Sequence, residues 1–212
     1  NQRGMPLSVA TEVLNAMIDH PRPTRSEASD VANAVFDNTD AVMLSAESAS
    51  CKYPVETIEA MDRICIEAEQ TQPVSLERDF LDRVFTRVDQ SIAMAGLFTA
   101  FHLKVKAIAT LTESGSTALW MSRLNCGVPI FALTSQTQTR YRCALFRDVY
   151  PLMVKYVGTD REELLREAEK VLVGNGVVKE GDLIVLTIGE PIGKAGGTNT
   201  MKIVRVGEHR KA

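Results

Sequence analysis

The sequence predicts an α/β protein made mainly of parallel strands, and three observations lead there. Short apolar runs at Pro6–Ala10, Ala41–Leu44, Val105–Leu111, Pro129–Leu133 and Leu183–Thr187 have the length of buried strands. Amphipathic helical patterns fall between them, and strand–helix alternation is the signature of crossover units joining parallel strands. A largely polar seam between Thr71 and Arg87, opened by Gln72-Pro73, then divides the alternation into a shorter and a longer piece. With 212 residues, 45% of them hydrophobic, the chain can bury a core in one or two domains.

Taken in order, the run Pro6–Ala10 leads through Thr11 and Glu12 into a helix, and the apolar cluster Ala32–Phe36 reads as core. Ala41–Leu44 leads in the same way through Ser45 and Glu47. Pro54 suits a first helical position, where its fixed φ helps and its missing N–H costs nothing. Val55, Ile58, Ile64 and Cys65 mark an apolar stripe along Pro54–Gln70. These units place a first domain over 1–72, a linker over 73–85 and a second domain over 86–212.

In the second domain, Val105–Leu111 feeds the loop Thr112–Thr117 and a helix Ala118–Leu124, with Trp120 in the core. Thr159 and Glu162 have the spacing of a reciprocal capping box. Leu164, Leu165, Ala168, Val171 and Leu172 follow as a buried helix face. The charges along Arg161–Lys170 form the solvated face. Asn175-Gly176 ends that helix, because both residues tolerate a left-handed conformation. Gly193–Val206 reads as a glycine-rich loop and a final strand Met201–Val206, interrupted by Lys202 and Arg205.

Composition excludes some function classes. A net charge of −3 lacks the concentrated basic face of a nucleic-acid binder. No apolar run approaches the roughly 20 residues of a membrane span. Asn1-Gln2-Arg3-Gly4-Met5 carries no targeting signal, so the expected location is the cytoplasm, and the chain begins as if cut from something longer. Cys51, Cys65, Cys126 and Cys143 contain no CxxC pair and read as reduced thiols. His20, His102 and His209 are far apart and read as structural or surface residues, with no metal implied.

Two places carry chemistry. Thr11, Ser45 and Glu47 stand at strand ends leading into helices, where a hydroxyl either caps the helix or serves a site. Glu47 near a helix start is also favoured by the helix dipole alone. Thr112-Glu113-Ser114-Gly115-Ser116-Thr117 sets a glycine and several hydroxyls before a helix, which describes an anion site and an ordinary cap cluster equally well.

The run Pro21-Arg22-Pro23-Thr24-Arg25-Ser26-Glu27-Ala28-Ser29-Asp30-Val31-Ala32-Asn33-Ala34 resembles the pyruvate kinase segment PRPTRAEGSDVANA. Ala10-Thr11-Glu12-Val13-Leu14 resembles that family's ATQML. Met43-Leu44-Ser45-Ala46-Glu47-Ser48, followed by Tyr53-Pro54, resembles its MLSGET…YP. Gly196-Gly197-Thr198-Asn199-Thr200 resembles its terminal GFTNT or GSTNT. The likeness extends over nearly the whole chain.

The resemblance implies the last two strand–helix units of a TIM-type barrel followed by an open, mostly parallel α/β regulatory domain. It implies part of a glycolytic kinase that moves the phosphoryl group of phosphoenolpyruvate to ADP, giving pyruvate and ATP. By the same resemblance Thr11 contacts substrate on the face where the enolate is protonated, Ser45 and Glu47 support it, and Arg25 lies at a subunit interface beside the active site. Mg2+ or Mn2+ and K+ serve the family, but the motifs like KIEN and ARGDLG that hold the divalent metal do not occur here. The chain alone is therefore expected to be inactive. A homotetramer is implied, with an allosteric site formed by Thr112, Glu113, Ser114, Gly115, Ser116 and Thr117 together with Lys194, Gly196 and Gly197.

Family members activated by fructose 1,6-bisphosphate often carry Lys or Arg in the first loop, where this chain has Glu113 and Ser116. A carboxylate beside a bisphosphate is repulsive by on the order of 1 kcal/mol or more when partly desolvated. Thr-Glu-Ser-Gly instead resembles bacterial forms activated by AMP or sugar monophosphates, such as ribose 5-phosphate or glucose 6-phosphate. Two other readings are a stand-alone phosphosugar- or nucleotide-binding regulatory domain and a structural oligomerisation module.

Overall fold

The computed structural model describes residues 5–10, 13–72, 84–155, 160–193 and 196–208. The chain forms two compact units, Asn1–Pro73 and Val74–Ala212. The first contains β1 (Ser8–Val9), a 3-10 turn (Asn15–Ile18), α1 (Arg25–Phe36), β2 (Ala41–Val42), α2 (Ala46–Ala49) and α3 (Pro54–Thr71). β1 and β2 pair in parallel, Val9 opposite Val42. Leu14, Met17, Val31, Ala60 and Met61 form the core beneath them.

The start of α1 is dictated locally. The Thr24 hydroxyl accepts from the Glu27 amide at 3.3 Å, and Glu27 Oε2 accepts from the Thr24 amide at 2.8 Å. Glu27 Oε1 also accepts from the Ala16 amide at 2.7 Å, tying the helix to the 3-10 turn. Desolvation pushes the Glu27 carboxyl up, but the hydrogen bonds from Ala16 and Thr24 outweigh it and hold the group below its ordinary value.

Two sequence expectations fail in this unit. Val55 and Ile58 are 62% and 57% exposed, while Thr57, Ala60, Met61 and Ala68 are buried. At about 3.6 residues per turn, positions 57, 60, 61, 64 and 68 share one face and 55 and 58 fall on the other. Phe36 is also exposed, at the C-terminal end of α1, so the core contribution of Ala32–Phe36 comes from Ala34 and Val35.

The second unit contains α4 (Val88–Leu103), β3 (Ala107–Leu111), α5 (Ser116–Met121), β4 (Ile130–Thr134), α6 (Thr137–Cys143), β5 (Val149–Met153), α7 (Arg161–Gly174), β6 (Leu183–Gly189) and β7 (Thr198–Arg205). The sheet order is β5-β4-β3-β6-β7. The first four strands are parallel and β7 is antiparallel to β6. All of β3 is buried, because both faces of the sheet are covered. On one face Ala107, Ala109 and Leu186 meet Leu165, Ala168 and Leu172 of α7. On the other, Ile108, Ala132 and Val185 meet Leu97 and Ala100 of α4, Ala118 and Met121 of α5 and Cys143 of α6. Gly96 lets α4 come close: a Cβ there would stand 3.2 Å from Met121.

The observed α/β class and mostly parallel sheet agree with the expectation; the described strands of the first unit form a pair and no closed barrel. The final strand starts three residues earlier than expected, at Thr198. The helix expected over Ala118–Leu124 starts earlier, at Ser116, and ends at Met121. Thr159 and His209 lie outside the described residues. The cap of α7 comes from Asp160, whose carboxylate accepts from the Glu162 amide at 2.9 Å. The face of α7 expected to be solvated has one exception: Glu169 is 4% exposed and accepts from the Gly207 amide at 2.9 Å.

Leu186 sits at the middle of β6 and is 1% exposed. Leu186→Ala is expected to destabilise the 212-residue chain by about 2–5 kcal/mol through lost burial and a residual cavity. Urea unfolding followed by circular dichroism reads this directly. A change well under about 1 kcal/mol would contradict the packing described.

Candidate functional site

The loop after β3 is shaped by its own side chains. The Thr112 hydroxyl accepts from the Gly115 amide at 2.8 Å, closing a turn that needs Gly115 at φ 78°. The Thr139 hydroxyl of α6 donates to the Glu113 carbonyl at 2.6 Å, and Gln136 Nε2 donates to Glu113 Oε2 at 3.1 Å. A Cβ on Gly115 would stand 2.8 Å from Cys143 Sγ, so the loop rests on a fully buried thiol. Burial pushes that thiol up to about 11.

Two further bonds secure the start of α5. The Thr117 and Thr198 hydroxyls meet at 2.6 Å, joining α5 to β7. The Ser116 hydroxyl donates to Asp89 Oδ2 at 3.1 Å. Asp89 is 2% exposed and paired with Arg87, whose Nη2 and Nε donate to it at 2.6 and 2.9 Å.

Above this loop lies a cavity of about 330 Å³, at the C-terminal ends of β3, β4 and β6. That end of an open parallel sheet is where such folds bind ligands. Thr112, Glu113, Ser114, Thr117 and Gly196 all line it. Gly115, Ser116 and Gly197 are not in its wall, and Lys194 lies outside the described residues. Gly115 spends its amide on the turn and Ser116 turns toward Asp89. Gly197 instead presses on the end of β6: a Cβ on Gly189 would stand 2.8 Å from its carbonyl carbon.

Sequence reading missed Thr134 at the end of β4 and Ser135 after it, and Ile188, Ile192 and Thr198 on the far side. The hydroxyls at the end of Pro129–Leu133 were a visible signal; the others depend on the antiparallel return of β7. Glu113 is the one charged residue among the described residues lining the cavity, and the rest of these are hydroxyls, glycines and aliphatic groups.

In the first unit, Glu47 is 1% exposed and its Oε2 accepts from the Ser45 amide at 2.8 Å. Its Oε1 has no hydrogen-bond partner among the described residues. The contact with Ser45 is made through backbone, not hydroxyl. Arg25 is exposed at the first residue of α1, with no hydrogen bond or ion pair to Ser45 or Glu47 among the described residues. Thr11 lies outside the described residues. Among the described residues, no group of three or more His, Cys, Asp and Glu is placed to hold a metal ion. No helix among them is long and apolar enough to cross a membrane.

These features define an α/β protein whose larger unit has helices on both faces of an open sheet and a cavity at the strand ends. Residues 90–204 match the family described as "Pyruvate kinase, alpha/beta domain", and residues 1–58 match "Pyruvate kinase, barrel domain". The chain belongs to the pyruvate kinase family. It is 44% identical over 198 residues to "Pyruvate kinase II" of Salmonella typhimurium, an alignment covering 93% of this chain and 41% of that protein. It is 42% identical over 200 residues to a "Pyruvate kinase" of Buchnera aphidicola subsp. Baizongia pistaciae, covering 93% and 41%. To the "Pyruvate kinase" of Geobacillus stearothermophilus it is 43% identical over 208 residues, covering 96% and 35%. The chain thus spans about two fifths of the length of these relatives.

The buried thiol beneath the loop makes stability sensitive to alkali. Its pKa is raised on folding from 9.0 to about 11, so folding favours the neutral thiol. That contribution is complete below about pH 9 and is lost as pH climbs from 9 to about 11. Urea unfolding across this range is expected to show a decline in stability that is shallower in Cys143→Ala. Equal slopes in the two proteins would contradict the assignment.

Proposed function

We propose that the chain is the C-terminal part of an enzyme that transfers the phosphoryl group of phosphoenolpyruvate to ADP, giving pyruvate and ATP in glycolysis. In this reading residues 1–72 complete a catalytic barrel, 73–85 link, and 86–212 form an allosteric domain that binds a phosphorylated metabolite. The enzyme is a cytoplasmic homotetramer. Family membership supports the reaction. The observation carrying the allosteric half is the cavity of about 330 Å³ on which Thr112, Ser114, Thr117 and Gly196 converge.

The chemistry of that wall selects the ligand. Hydroxyls supply donors to phosphate oxygens. Glu113, already held by Gln136, accepts from a sugar hydroxyl and repels a second phosphate. A sugar monophosphate or AMP is therefore the preferred effector. In the barrel part, Thr11 donates to the substrate carboxylate or relays the proton that the enolate takes up. Ser45 and Glu47 fix the neighbouring backbone, and Arg25 serves the subunit interface beside the active site.

Divalent metal and K+ supply charge neutralisation to phosphoryl transfer when bound. The motifs like KIEN and ARGDLG that hold the divalent metal do not occur in the sequence, and no group of three or more His, Cys, Asp and Glu among the described residues is placed to hold a metal ion. The 212-residue chain is accordingly expected to form no pyruvate from phosphoenolpyruvate and ADP in a coupled assay. Measurable turnover would overturn that part of the reading.

Isothermal titration of the chain with ribose 5-phosphate, glucose 6-phosphate, AMP and fructose 1,6-bisphosphate tests the effector site. Binding of at least one monophosphate, tighter than the bisphosphate, is the expected result. Tight bisphosphate binding with none for the monophosphates would refute the proposed selectivity, and silence across the panel would refute the site.

A further inference from the structure

Among the described residues lining the cavity the one charged group, Glu113, has the same sign as the proposed ligand. We infer that Arg87, clamped at one edge by buried Asp89, is the cationic ligand for the phosphate group at this cavity. The inference rests on the effector reading above and names a residue that reading does not contain.

Five observations converge on Arg87. It precedes α4 and is half-exposed, so its guanidinium can meet a solvated ligand. Asp89 binds it through two oxygens, Nε to Oδ1 at 2.9 Å and Nη2 to Oδ2 at 2.6 Å, which fixes the plane of the fork. Nη2 also approaches the Ser116 hydroxyl, at 3.5 Å, at the start of α5. It lies 3.9 Å from where a side chain on Gly196 would begin, and Gly196 is part of the cavity wall. The Nη1 donors have no partner among the described residues.

Asp89 thus does for Arg87 what a supporting residue does for any anion-binding arginine. It is itself saturated: Oδ1 also accepts from the Gln90 amide at 3.1 Å and Oδ2 from Ser116. The carboxylate holds one edge of the guanidinium and leaves the other for a phosphate oxygen. Planar, delocalised charge of this kind suits phosphate better than an ammonium does. Asp89 is a positioning residue in this scheme, and Ser116 reports on both.

Removing Arg87 alone would strand a buried carboxylate, so the test uses R87Q/D89N, which keeps a hydrogen bond and removes both charges together. Inorganic phosphate and ribose 5-phosphate are titrated into the parent chain, into R87Q/D89N and into R87K, with thermal melts verifying that each is folded. The expected result is a loss of affinity of about tenfold or more for both probes in R87Q/D89N, with R87K intermediate. The double variant is also expected to show a weaker dependence of affinity on NaCl concentration. A folded R87Q/D89N that binds both probes as tightly as the parent overturns this inference alone. A parent chain that binds neither probe overturns it together with the effector reading. If R87Q/D89N does not fold, R87K decides: parental affinity with unchanged salt dependence overturns the inference.

Discussion

The second unit depends on the burial of β3 between two helical layers. A strand with every residue buried must satisfy its backbone through its neighbours, and the parallel ladders to β4 and β6 do this along its length. Because all three strands run the same way, their C-terminal ends open on one edge of the sheet. The loops that leave them, after Leu111, Thr134 and Gly189, therefore meet around one cavity. The position of the site is a consequence of strand direction, and the identity of its wall is a matter of which residues those loops carry.

Much of this arrangement is legible in the sequence. The runs at Val105–Leu111, Pro129–Leu133 and Leu183–Thr187 became β3, β4 and β6 with shifts of a few residues, since continuous apolar runs bounded by turns have few other uses. α4, α6 and β5 are not legible in this way. α4 packs against α5, β6 and β7 and is apolar over most of its surface, so it lacks the polar stripe that reveals a surface helix. The α3 stripe was misjudged because Val55 and Ile58 match the helical period but on the wrong face; Thr57 and small Ala60 and Ala68 occupy the inside.

The site was legible to the extent that it is local. Thr112, Glu113, Ser114 and Thr117 lie together in sequence and line the cavity together. The side chains that hold them do not. Asp89, Arg87, Thr139 and Thr198 reach the loop across 27, 29, 26 and 81 residues. Hydroxyls that looked equivalent in the string divide by geometry, with Thr112 closing a turn, Ser116 facing Asp89 and Thr117 bound to Thr198. Such sorting needs the third dimension, because a hydroxyl rotates to the partner the fold supplies.

The mouth of the β6–β7 hairpin is pinched shut. Gly189 and Gly197 touch through bare backbone, and beside them Asn199 both accepts from the Glu190 amide at 3.0 Å and donates to the Glu190 carbonyl at 2.7 Å. That clasp ties the two ends of the turn together across its base, while Ile192 within it packs against the core of the sheet. The base of the hairpin is thus held by two glycines and one asparagine, whereas Ile192 reaches the wall of the cavity.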